Sequence, residues 1–151
     1  MALLLSLLLG VFSVSGSDGE ALEELPQLVI KGQLAKNNLI PVVPTKVKAP
    51  SVPNRFIGTR IHMYFWIEKD GRVSHIRSDA SSLDVDESCV SAAMREALNY
   101  WQFEPARRLD TGEAVKIKVA LPVEIVEPGN GNSNKYAAIS LKDMPLLAVL
   151  D

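Results

Sequence analysis

The chain has 151 residues, 47% of them hydrophobic, 6% aromatic and 23% charged, with 16 Lys and Arg against 18 Asp and Glu. That length holds one ordinary domain with short tails, not two full domains. A net charge of −2 without a basic stripe speaks against nucleic acid as a partner, one Cys excludes an internal disulfide and a cysteine zinc site, and two His leave little for metal or nucleophile chemistry, so a binding role stands ahead of an enzymatic one.

Ala2 to Ser15 is an uncharged, Leu-rich run followed at once by Gly16, Ser17 and Asp18. It has the length of a signal-peptide core and falls short of the roughly 20 residues that cross a bilayer. Residues 1–16 therefore read as an export signal, cleaved after the small residues Val14-Ser15-Gly16, or as a short membrane anchor. Either reading sends the rest of the chain out of the cytoplasm.

Residues 17–53 are irregular and carry Pro26, Pro41, Pro44, Pro50 and Pro53. Each proline fixes φ, removes a donor and turns its predecessor toward extended geometry, which predicts an extended, partly stiff linker with room for a short strand near 27–30.

Alternation begins at Ile61. Ile61, Met63, Phe65 and Ile67 share one face and His62, Tyr64, Trp66 and Glu68 the other, the period of a strand. Asp70-Gly71 then supplies the positive φ values of a two-residue type I′ turn, so the chain reverses through Val73 to Ser78. That register sets Trp66 opposite His75, Tyr64 opposite Arg77 and His62 opposite Asp79. Asp84, with Glu87 three residues on, caps a helix over about 85–101 whose stripe Val85, Cys89, Ala93, Ala97 and Trp101, flanked by Val90, Met94 and Leu98, is expected to face the sheet, with Ser91 toward water. Phe103-Glu104-Pro105 ends it.

The longest strand follows. Val115, Ile117, Val119, Leu121, Val123 and Ile125 alternate with Lys116, Lys118, Ala120, Pro122 and Glu124, and a proline inside a strand points to a sheet edge. Residues 128–134 have linker composition, and the tail beyond them is moderately apolar, with a strand expected over Ala137 to Leu141. The domain itself spans 54–127, and 128–151 form a flexible linker and C-terminal tail. The fold class is thus α+β, an antiparallel three-stranded sheet with one main helix packed on one face.

Phe65-x-Ile67-x-x-Asp70-Gly71-Arg72-Val73, then Ser81-Ser82, Ala92-Ala93, Ala97-Leu98, Trp101-x-Phe103-x-Pro105-Ala106, Gly112, Val115 and Leu121-Pro122-Val123 together resemble the C-terminal domain of the TonB family, over residues 50–126. Asp70, Gly71, Trp101, Phe103 and Pro105 carry the most specific part of the likeness. The resemblance implies a periplasmic component of outer-membrane transport, attached to the inner membrane by its N-terminal segment. In such proteins the C-terminal domain grips a peptide of a TonB-dependent receptor, or another envelope protein, and transduces energy from an inner-membrane proton-channel complex. The grip is β-augmentation, an extended peptide adding to the last strand, here Val115, Lys116, Ile117, Lys118, Val119, Ala120, Leu121, Pro122 and Val123. Such an edge also offers a route to a homodimer. The sequence departs from the family in lacking the Tyr of the Pro-x-Tyr-Pro element at Pro50-Ser51-Val52-Pro53 and the long Pro/Lys/Glu-rich spacer. A non-energised periplasmic interaction module of the same fold is the alternative, in which the tail 136–151 covers the edge of its own or a neighbouring chain. No cofactor, metal or catalytic residue is expected: Ser81-Ser82, His75 and Asp79 have the residue types of a hydrolase triad without a nucleophile elbow or oxyanion-hole motif.

Overall fold

The computed structural model describes residues 33–128, 137–141 and 143–150; the expected leader lies outside them. In chain order the elements are helix α1 (Gln33–Lys36), strands β1 (Leu39–Ile40), β2 (Val43–Lys46), β3 (Arg60–Ile67) and β4 (Val73–Ser78), helix α2 (Val85–Leu98), then β5 (Gln102–Glu104), β6 (Ala106–Arg108), β7 (Ala114–Val126), β8 (Ala138–Leu141) and β9 (Leu146–Leu150). The architecture is α+β, with a mostly antiparallel sheet and one principal helix. The sheet is larger than the three strands expected: seven strands run β1-β6-β7-β3-β4 with β8 and β9 also on β7, and β2 and β5 form a second, two-stranded sheet.

Of the extra strands, β5 and β6 come from the segment after α2 expected to be a helix stop and polar turn, and the other four from the two regions expected to be linkers. In the first, β1 pairs with β6 and β2 with β5, and Leu34, Leu39, Val42 and Val52 lie in the hydrophobic core. The prolines keep this stretch extended, but the apolar residues between them give it a buried face, and burying such side chains is worth about 1.5–3 kcal/mol each. Trp101 fastens it: the indole is fully buried and its Nε1 donates to the carbonyl of Lys48 at 2.8 Å. In the second, Ala138–Leu141 is the strand expected there, and both β8 and β9 pair along β7.

The β3–β4 hairpin departs from its expected register near the turn and recovers it farther on. Glu68 N donates to Arg72 O at 2.8 Å and Gly71 N to Glu68 O at 2.9 Å, so the loop is the three residues Lys69, Asp70 and Gly71, and only Gly71 has positive φ (86°). Trp66 consequently faces Ser74, not His75. A one-residue bulge restores the register: His75 sits at φ 50°, and beyond it Tyr64 pairs with Arg77 as expected. Asp79 N then donates to His62 O at 3.1 Å.

Helix α2 begins as its cap dictates, with Asp84 Oδ1 accepting from Glu87 N at 3.1 Å. It ends at Leu98, so Trp101 lies past the helix, and it is rotated from the expected stripe: Val90, Ser91, Met94, Ala97 and Leu98 are buried, whereas Val85 and Cys89 are exposed. Ser91 explains the rotation, since its hydroxyl donates to Ser78 Oγ at 2.9 Å beneath the sheet edge and so is satisfied while buried. Below the helix the sheet contributes Ile61, Met63, Phe65, Ile67, Ile117, Val119 and Leu121, all buried.

Candidate functional site

The site expected from the sequence is the backbone of β7, and the structure shows which way its groups point. Asp79 N donates to His62 O and the Asp79 carboxylate accepts from His62 N at 2.7 Å, so the main chain of His62 faces β4. By alternation Ile61, Met63, Phe65 and Ile67 present their amides and carbonyls to β7, opposite Val123, Leu121, Val119 and Ile117. Ile125 continues this row, donating to Thr59 O at 3.0 Å and accepting from Gly58 N at 2.8 Å. The intervening residues Lys116, Lys118, Ala120, Pro122 and Glu124 therefore direct their backbone outward.

That outer side is not the unpaired edge expected. β6 pairs with Ala114 and Val115, β9 with Lys116 through Val119, and β8 with Val123 through Val126, while Ala120 N donates to Pro145 O at 3.1 Å. The C-terminal tail has filled the edge. Pro122 falls in the gap between β9 and β8, at an outward-facing position where its missing N–H leaves no partner unsatisfied. A proline in this strand thus marks a break in its outer pairing, not the rim of the sheet. Side chains follow the alternation: Val115, Ile117, Val119, Leu121 and Val123 are buried with Ala120, Lys116 and Pro122 are half-buried, and Lys118 is exposed.

Asp70, Gly71, Trp101, Phe103 and Pro105 gather elsewhere, where the hairpin tip docks on β5. Phe103 N donates to Gly71 O at 2.9 Å, and Arg72 bridges Gln102. A Cβ on Gly71 would lie 1.8 Å from the Phe103 carbonyl oxygen, so only glycine permits the approach. Asp70 shapes the turn by accepting from Arg72 N at 3.0 Å and from Arg72 Nε at 2.7 Å; the amide first and the guanidinium second hold its carboxyl below the usual value. Trp101 and Phe103 are buried with ring centroids 6.3 Å apart, and Pro105 is buried beside them. This cluster is a scaffold that fixes the hairpin against the segment after α2, with Trp101 and Phe103 buried and Asp70 exposed at the turn.

The sheet face away from α2 carries His62, Tyr64 and Trp66. Trp66 is flanked on both neighbouring strands, by the His75 ring at 3.5 Å and by Lys116 Nζ at 5.0 Å, the latter also 4.0 Å from Glu68. Its ring is thereby occupied within the chain. His62 Nδ1 lies 2.9 Å from Asp79 Oδ2, His75 Nδ1 lies 3.1 Å from Ser74 Oγ, and Ser81 Oγ accepts from Leu83 N, so the triad residue types are engaged separately. Among the described residues, no group of three or more His, Cys, Asp or Glu is placed to hold a metal ion, and no helix is long and apolar enough to cross a membrane.

The occupied outer side of β7 agrees with the alternative in which the tail 136–151 covers the edge of its own chain, and departs from the open edge of the first reading. The available signal was the pairing of a proline within the long strand with two short apolar runs in the tail, enough to seat one run on each side of that proline. No family model matches the chain, and neither does any curated protein.

Proposed function

We propose that the chain is a TonB-like component of outer-membrane transport whose domain holds an extended segment of a receptor or another envelope protein by β-strand addition to β7. One observation carries this reading: the outer side of β7 holds an extended apolar segment in antiparallel register, the geometry that a partner peptide requires. Backbone groups supply the attachment, and buried side chains at alternate positions supply the selectivity, so no single side chain of β7 is indispensable. The scaffold of Gly71, Trp101 and Phe103 keeps β7 and β3 rigid beneath the peptide, which lowers the ordering cost of binding.

A non-energised interaction module is the second reading, and one observation favours it: the segment that occupies the edge belongs to the chain itself. Titrating the isotope-labelled full chain with a receptor TonB-box peptide tests the first reading. Amide shifts concentrated at Lys116, Lys118 and Ala120 are the expected result, and their loss in Ala120→Pro, which removes the outward donor, confirms the edge. No shift at millimolar peptide contradicts it.

A further inference from the structure

We infer that β9 is an exchangeable self-ligand: residues 144–150 occupy the Lys116–Ala120 edge in cis and exclude an extended apolar peptide that binds the same edge in trans. This rests on the strand-addition reading and goes beyond it by naming the competitor and the chemistry of the partner. The two sides of β7 are built differently. On the inner side β3 pairs with eight consecutive residues without a break in register. On the outer side the pairing is divided at Pro122, β9 slips by one residue between Lys118 and Val119, and β9 pairs with no strand but β7 among the described residues.

The tail also displays what the edge selects. Met144 and Leu146 are buried in the core and Val149 lies opposite Ile117, so three apolar side chains enter the core side of the groove. Ala148 and Leu150 lie across from Lys118 and Lys116 on the other face, and Leu147 stands 47% exposed. Pro145 contributes its carbonyl, taken by Ala120 N, and lacks a donor of its own. A competing segment is therefore extended and uncharged, with apolar residues at the positions of Met144, Leu146 and Val149, a small one at Ala148, and tolerance for proline at 145. An occupied edge is also protected against indiscriminate strand pairing between copies, which a free edge of this length invites.

The test uses the full chain and a fluorescein-labelled synthetic peptide of residues 143–150, followed by anisotropy. Ala148→Pro, which removes a pairing donor from β9, and Leu146→Ala, which removes its buried anchor, each leave the accepting edge untouched. Both are expected to tighten binding of the added peptide at least tenfold relative to the unchanged chain, and Lys118→Pro, placed on the edge itself, is expected to abolish it. Equal affinity in the unchanged chain and both tail variants overturns the self-ligand and leaves strand addition standing. Absence of binding to every variant, with Leu146→Ala folded by its amide spectrum, overturns both.

Discussion

The two sides of β7 have the same backbone and opposite roles. The inner side meets β3 over Arg60 to Ile67 in unbroken register, above a core of Met63, Phe65, Ile67, Ile117, Val119 and Leu121. The outer side is filled in pieces by the tail, with a proline where the pieces part. A strand can thus be central by topology and still keep one side for exchange, because alternation sends each successive amide to a different neighbour.

Val119→Pro and Lys118→Pro are expected to have the largest and most unequal effects on the two sides of β7. Val119 directs its amide to β3, so the first substitution removes an interior ladder bond, leaves a buried carbonyl of Phe65 unpaired and replaces a buried side chain; it is expected to cost well over the roughly 1–3 kcal/mol of the unpaired group alone and to lower the urea midpoint steeply. Lys118 directs its amide to the tail, on the same outward side where Pro122 is already tolerated, so the second is expected to cost about 1 kcal/mol, the net worth of one hydrogen bond, with the fold retained. Comparable losses for the two adjacent substitutions would contradict the assignment of sides.

The scaffold gives the next effect. Gly71→Ala forces a Cβ against the Phe103 carbonyl at a positive φ, and a destabilisation of about 2–3 kcal/mol is expected from strain of this kind, read by thermal or urea unfolding. Wild-type stability in that variant would mean that the hairpin tip does not dock on β5.

Much of the fold was legible because its signals are local. Period-two alternation gave β3 and β7, the Asp84 cap gave the start of α2, and Ala138–Leu141 was visible in the tail. The failures share a physical cause, long-range pairing. Asp70-Gly71 suits a two-residue turn when read alone, but the three-residue loop is the one seen where Gly71 lies against the Phe103 backbone, and the bulge at His75 absorbs the resulting slip. Cys89 and Ser91 exchanged their expected exposures because Ser78, distant in sequence, offered Ser91 a partner. The stretch 33–53 has the composition of a connector, and only its contacts with β5, β6 and Trp101 distinguish it from one. At the site, the accepting strand was legible from alternation, and the tail stood as its occupant only in the alternative reading, since nothing local states in which register, or on which chain, a short apolar tail will pair.

Asp70 at the hairpin turn is expected to contribute least. Arg72 holds the Asp70 pKa below its unfolded value, so the contribution of Asp70 to stability is present above the unfolded carboxylate pKa, near 4, and is lost as pH falls through the depressed folded value. Asp70→Asn is expected to flatten the acid limb of stability slightly, measured as urea midpoints between about pH 2 and pH 6, and to leave peptide binding unchanged.

Residue-resolved hydrogen exchange of the unmodified full chain under native conditions tests the difference between the two sides most directly. The outward amides of Lys116, Lys118 and Ala120 are expected to exchange at least tenfold faster than the inward amides of Ile117, Val119 and Leu121, because the tail opens while β3 stays paired. Equal protection of the two sets would show that the tail and the sheet open as one unit, and would contradict that difference.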